Sequence, residues 1–251
     1  MLVKPRGQRQ ISALGQAGPP HAARRLPGGS GIMIAVISWS GRPWWVVGPT
    51  AGMLLGLVDS VVNHVPVVLG EGGTARAERG GWSQAAEFAS LILDAGWAWA
   101  ATAVLVGWLV SRHAGPASGM LRGALAGGLT LVFATAAYYG ADLLFDGGEW
   151  WSTTTRFWLI GSVLLGPPLG VTGALIRLPG LTGAVAALVV PAGAALQMAV
   201  LPPPPDSRMA EPVRWSVWGA AVVVTVLVAR AVHNRSAVVP SAHPSQSPLG
   251  G

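Results

Sequence analysis

The chain has 251 residues, 51% of them apolar and only 10% charged, with a formal net charge of +6 and no cysteine. Soluble domains carry roughly 25% charged residues, so composition argues against a soluble protein. The missing cysteines exclude disulfides, thiol catalysis and zinc–thiolate sites. The positive charge rests on fifteen arginines and the single Lys4 in a chain rich in Ala, Gly, Val and Pro. That bias suggests a GC-rich bacterial genome, and no nucleic-acid partner is expected.

Residues 1–43 form a basic, Arg/Gly/Pro-rich extension without apolar periodicity and are expected to be disordered. Ile32 to Ile37 is too short for the apolar region of a secretory signal, which needs 7 to 15 residues. Arg24-Arg25 is followed by no strong apolar stretch, and Met33 is an alternative start. Six apolar runs follow, near the ~20 residues that cross a bilayer core: 44–69, 90–110, 120–144, 157–176, 181–201 and 215–232. They are too long for barrel strands, and helices satisfy their own backbone. The predicted fold is therefore all-α, an integral membrane bundle of about six helices over 44–232. A Ser/Pro-rich tail, 233–251, is expected to be disordered.

Cationic residues set the orientation. With the N-terminus inside, eleven Lys/Arg fall on the cytoplasmic side and five outside, or six against five once residues 1–32 are set aside. None of the ten carboxylates falls in a cytoplasmic segment. Glu71, Glu78, Glu87, Asp146, Glu149, Asp206 and Glu211 lie in external loops. Both termini are expected in the cytoplasm of a bacterium, with the bundle in its plasma membrane. Tryptophans near the span ends (Trp44, Trp45, Trp150, Trp151, Trp158, Trp215, Trp218) suit the headgroup level.

Helices in lipid associate through small residues and polar contacts. Gly48, Gly52, Gly56 and Ser60 recur every fourth residue in the first run, and His64 continues the line. Gly119, Gly123 and Gly127 repeat the pattern in the third. The two stripes pack either on each other or each on another helix. Pro167-Pro168 and Pro191 are expected to interrupt the fourth and fifth runs. The link RLPG, Arg177–Gly180, makes those runs an antiparallel hairpin.

The segment GLVDSVVNHVPVVLG, Gly56–Gly70, is apolar yet holds Asp59, Asn63 and His64. Asp59 lies about 15 residues from the inner end, hence roughly 20 Å up, in the outer half. Asp94 starts the second run, Tyr138, Tyr139 and Asp142 end the third, and Ser162 and Gln197 occupy outer halves. The polar residues thus gather in one layer open to the exterior. A charged Asp at a helix centre costs about 2.5–3.5 kcal/mol on insertion scales, so the cluster needs a reason. One reason is polar glue around a shallow vestibule. A sharper one is a cation or proton site of Asp59, Asn63, His64, Asp94, Tyr139 and Asp142. No HExxH, GxxxxGK[ST] or GxSxG motif is present, so no catalytic residue, metal or cofactor is assigned.

GLVDS, WAWAATAVLVGWLV and YYGADLL resemble small uncharacterised multi-pass proteins of high-GC Gram-positive bacteria, over roughly 44–232. The resemblance implies a six-helix membrane protein, brings no activity and carries over no functional residue. The expected role is structural or interactive, with the bilayer and a second copy or a membrane protein as partners. The alternative is a small transporter or ion- or proton-coupled permease.

Overall fold

The computed structural model describes residues 43–237, with side chains through 234. The N-terminal extension, its alternative start at Met33 and the tail after Ala237 lie outside the described residues. Seven α-helices account for most of the rest: α1 Trp44–Val68, α2 Gly81–Leu93, α3 Gly96–Ser111, α4 Pro116–Asp146, α5 Thr153–Leu175, α6 Leu181–Val200 and α7 Ala210–Ala237. No strand occurs among the described residues. Five of these helices are long and apolar enough to cross a membrane, and the broken pair α2–α3 makes a sixth if taken as one span.

The interior is built from small apolar and hydroxyl side chains rather than large apolar ones. The largest fully buried side chains are Val213, Thr130, Thr135, Thr155, Asp59, Ser60, Ser83 and Ser111. Leu54, Leu57, Val58, Leu164, Leu165, Val223 and Leu227 are exposed. In water this distribution would forgo the hydrophobic driving force. In lipid it is the arrangement that small-residue and polar association produces.

Helices α1, α3, α4 and α5 make the central bundle, and α6 and α7 pair mainly with each other beside it. The glycines explain how closely the central helices approach. A Cβ on Gly52 or Gly56 would collide with the carbonyl of Thr130 or Ala134 on α4, and one on Gly48 would come 2.7 Å from the carbonyl of Ala126. The glycines of α4 face elsewhere. Gly123 and Gly127 lie against Gly166 and Gly170 of α5, and Gly119 lies beside Ser111 and Arg177. Thus α1 rests on the Ala/Thr face of α4, and α4 uses its own glycine stripe for α5.

Two expectations about continuity change. Pro167, Pro168 and Pro191 sit inside unbroken helices. The break falls instead within the second run, where α2 and α3 meet at a 60° bend. Asp94 caps α2 in helical geometry and Ala95 is extended, with φ −67° and ψ 131°. Asp and Gly are weak helix formers, and the DAG sequence gathers them at the elbow. The Trp97 N–H freed at the start of α3 donates to Gln197 Oε1 of α6 at 3.2 Å, which satisfies one donor of a helix start. The elbow puts Asp94 at the mouth of the bundle. Helix α7 also runs to Ala237, past the expected end at Val232.

The opposite end is closed by Arg177. Its guanidinium donates to the carbonyl of Ser111 and, at 3.0 Å, to that of Arg112, so it caps α3. Gly180, with φ +79°, makes the α5–α6 turn in the left-handed region that favours glycine.

Candidate functional site

Helix α1 builds the site with two adjacent rows. Gly48, Gly52, Gly56, Ser60 and His64 recur every four residues and are all buried. Asp59 and Asn63 form the neighbouring row, one turn apart. The first row faces α4 and the second faces the elbow of α2 and α3.

On the α4 side, Ser60 Oγ donates to Asp142 Oδ1 at 3.3 Å. His64 Nδ1 lies 2.8 Å from the Ser60 carbonyl. A carbonyl only accepts, so Nδ1 carries a hydrogen and Nε2 is the exchangeable position. Nε2 lies 3.7 Å from Asp142 Oδ1 and 3.4 Å from Asp146 Oδ2. Phe145 stacks on the imidazole at 4.4 Å between centroids and fixes its plane.

On the elbow side, Asn63 holds three groups at once. Its Nδ2 donates to Asp94 Oδ2 at 3.1 Å and to Tyr138 Oη at 3.0 Å, and its Oδ1 accepts from Ser90 Oγ. Both amide hydrogens are therefore used, which fixes the orientation of the amide. Asp59 is fully buried. Trp99 Nε1 donates to its Oδ2 at 3.3 Å. Its Oδ1 has no hydrogen-bond partner, and the Asp94 carboxyl is near enough to act on it electrostatically. Among the described residues no lysine or arginine forms an ion pair with Asp59, Asp94, Asp142 or Asp146.

The elbow also opens onto a cavity of ≈ 560 Å³. It lies between the start of α3, the C-terminal half of α4 and the face of α5 from Trp158 to Thr172. Asp94, Trp99, Tyr138, Tyr139 and Trp158 line it toward the elbow.

Asp59, Asn63 and His64 of α1, Asp94 at the α2–α3 elbow and Asp142 of α4 are thus brought together. Tyr139 joins through its ring, edge-on to Tyr138 at 5.1 Å, and lines the cavity. Ser90, Trp99, Phe145 and Asp146 also belong to the cluster, a role that sequence pattern alone does not assign them. The sequence pattern places Asp146 in an external loop, whereas in the structure it is the last residue of α4, one turn beyond Asp142. The spacing Asp142/Asp146 was the available signal, since residues four apart share a helix face. Nothing in the sequence pointed to Trp99, because its partner lies forty positions away. Among the described residues no group of three His, Asp or Glu is placed to hold a metal ion.

A family model described as a family of unknown function (DUF6518) matches residues 82–245. No curated protein and no solved structure matches the chain. The matched region begins in α2, so it includes Asp94, Tyr138, Tyr139 and Asp142, whereas Asp59, Asn63 and His64 lie before it.

Proposed function

The chain belongs to the DUF6518 family, and we propose that it is a small proton- or cation-coupled permease of the bacterial plasma membrane, crossing it six times with both termini in the cytoplasm. The observation that carries this reading is Asp59. An ionised carboxylate only accepts hydrogen bonds, so two carboxyl groups in contact bond to each other only when one of them holds a proton. Asp59 is fully buried with no hydrogen-bond partner on Oδ1, and the Asp94 carboxyl acts on it electrostatically. On this reading the two carboxyl groups hold one proton between them.

Its position suits exchange with the outside. At ~1.5 Å per residue, the 16 residues of α3 cover about 24 Å, a little less than the ~30 Å hydrocarbon core. Asp94, just before α3, then sits near the outer edge, with Asp59 beneath it. Asp146, 64% exposed on its side chain, and His64 supply a second protonatable pair on the same rim.

A packing role is the second reading, and the web that ties α1 to α2, α3 and α4 favours it. The two readings part at Asp59→Asn. Asparagine keeps the size, accepts from Trp99 and donates to Asp94, but it cannot exchange a proton. In proteoliposomes with an imposed pH gradient, the permease reading expects normal folded yield and lost proton flux. Reduced yield with intact flux in the surviving protein would support the packing role instead.

A further inference from the structure

We propose that the cavity between α3, α4 and α5 binds an amphipathic organic monocation, its charge among the elbow aromatics and its apolar body deeper between the helices. The inference rests on the permease reading in that both use Asp94, and it names the class of solute.

The cavity has two chemically distinct ends. At the elbow, Asp94 is the one acid among the described lining residues, and no lysine, arginine or histidine lines the space. Trp99 and Tyr138 meet edge-on at 6.2 Å, and Tyr138 and Tyr139 do so at 5.1 Å. Trp158 adds a further aromatic side chain on α5. Aromatic faces attract cations electrostatically within about 6 Å, and more strongly where water is excluded. A carboxylate ringed by aromatic side chains therefore selects positive charge. It selects a diffuse one, because Asn63 already occupies Asp94 Oδ2 and few donors or acceptors remain for a small hydrated ion.

Deeper down the lining is mostly apolar, with Leu131 on α4 and Leu165, Pro168 and Leu169 on α5, and the hydroxyls of Ser162 and Thr172 donate to carbonyls of their own helix. The volume of ≈ 560 Å³ falls within the ~300–1,000 Å³ of small-molecule sites. Trp158 and Leu165 are exposed, so the space is not sealed, and an amphiphile can reach it. Asp94 in the lining opposes an anionic headgroup, and no lysine, arginine or histidine there would hold one, so an anionic lipid does not fit.

The test uses a matched pair of lipophilic ions, tetraphenylphosphonium and tetraphenylborate, which have similar size and opposite charge. Each is titrated by equilibrium dialysis against the purified full chain in nanodiscs of zwitterionic lipid. The proposal expects saturable binding of the cation at one site per chain and none of the anion. Leu165→Trp, which fills the apolar end, and Trp158→Leu, which removes an aromatic wall, are each expected to weaken the cation at least tenfold. Asp94→Asn is expected to do the same. Size-exclusion profiles identify any variant that fails to fold, and Trp158→Leu and Leu165→Trp serve as substitutes for each other. Equal binding of both ions, or cation binding untouched by the two wall variants, would overturn the proposal. Saturable cation binding with no effect of Asp59→Asn on proton flux would leave this site standing and remove the proton coupling; the reverse result would remove the site alone.

Discussion

Replacing Gly52 by alanine sets two known effects against each other. In a helix, alanine is favoured over glycine by about 1 kcal/mol. At Gly52 the new methyl would collide with the Thr130 carbonyl and lie 2.9 Å from both the Thr130 carbonyl carbon and the Ala134 nitrogen. All three atoms are backbone, so no side chain can swing aside and α1 must move off α4. Overpacking costs about 1–3 kcal/mol, and rigid neighbours place this case at the upper end. The net expectation is a loss of about 2 kcal/mol. Gly193→Ala and Gly219→Ala are the controls, because a Cβ at either position meets nothing within 4 Å. Those two variants are expected to gain up to ~1 kcal/mol. Reversible unfolding in mixed micelles, followed by circular dichroism, reads all three. Adding Gly56→Ala to Gly52→Ala is expected to cost less than the sum of the singles, since a helix already displaced makes room for the second methyl. Gly52→Ala as stable as Gly219→Ala would refute the close approach of α1 and α4. It would also undercut the site, because that approach brings Ser60 and His64 to Asp142.

Other substitutions probe the remaining contacts. Arg177→Gln removes the charged donor that caps the carbonyls of Ser111 and Arg112, and is expected to lower stability by about 1.5–3 kcal/mol. Arg177→Lys should recover only part of that, because a lysine lacks the planar fork. Ser152 accepts from the Thr155 N–H at 3.1 Å as the N-cap of α5; Ser152→Ala is expected to cost about 1 kcal/mol in the same unfolding assay. Glu87 is buried, with Arg76 at 3.2 Å and Arg79 at 4.0 Å. Glu87→Leu is expected to loosen the loop between α1 and α2 and raise amide exchange over residues 74–80, with less change in α4.

Much of the bundle can be read from sequence because lipid imposes a simple rule. A span must be long, apolar and helical, and the five single spans and the Arg177–Gly180 turn follow from that rule alone. The layer of polar residues is legible for the same reason: Asp59 and His64 stand out against an apolar background. The break at Asp94–Ala95 does not stand out. Hydropathy runs on through LILDAGWAW, and the bend depends on α6 supplying Gln197 to the freed Trp97 N–H. Conversely, Pro167, Pro168 and Pro191 look like interruptions but remain within helices. A proline lacks one donor and leaves one carbonyl free, which a crowded bundle tolerates. The partner of each glycine stripe was not legible either. Spacing identifies a face, whereas the choice between α1 and α5 for Gly123 and Gly127 rests on Gly166 and Gly170 answering them from the other helix.

The proton shared by Asp59 and Asp94 is the claim on which the functional account depends. Infrared difference spectroscopy of the carboxyl C=O stretch, on the reconstituted protein at neutral pH, observes it directly. The account predicts a protonated-carboxyl band in the native chain that is absent from Asp59→Asn and altered in Asp94→Asn. A native spectrum without that band, or a band indifferent to both substitutions, would contradict it.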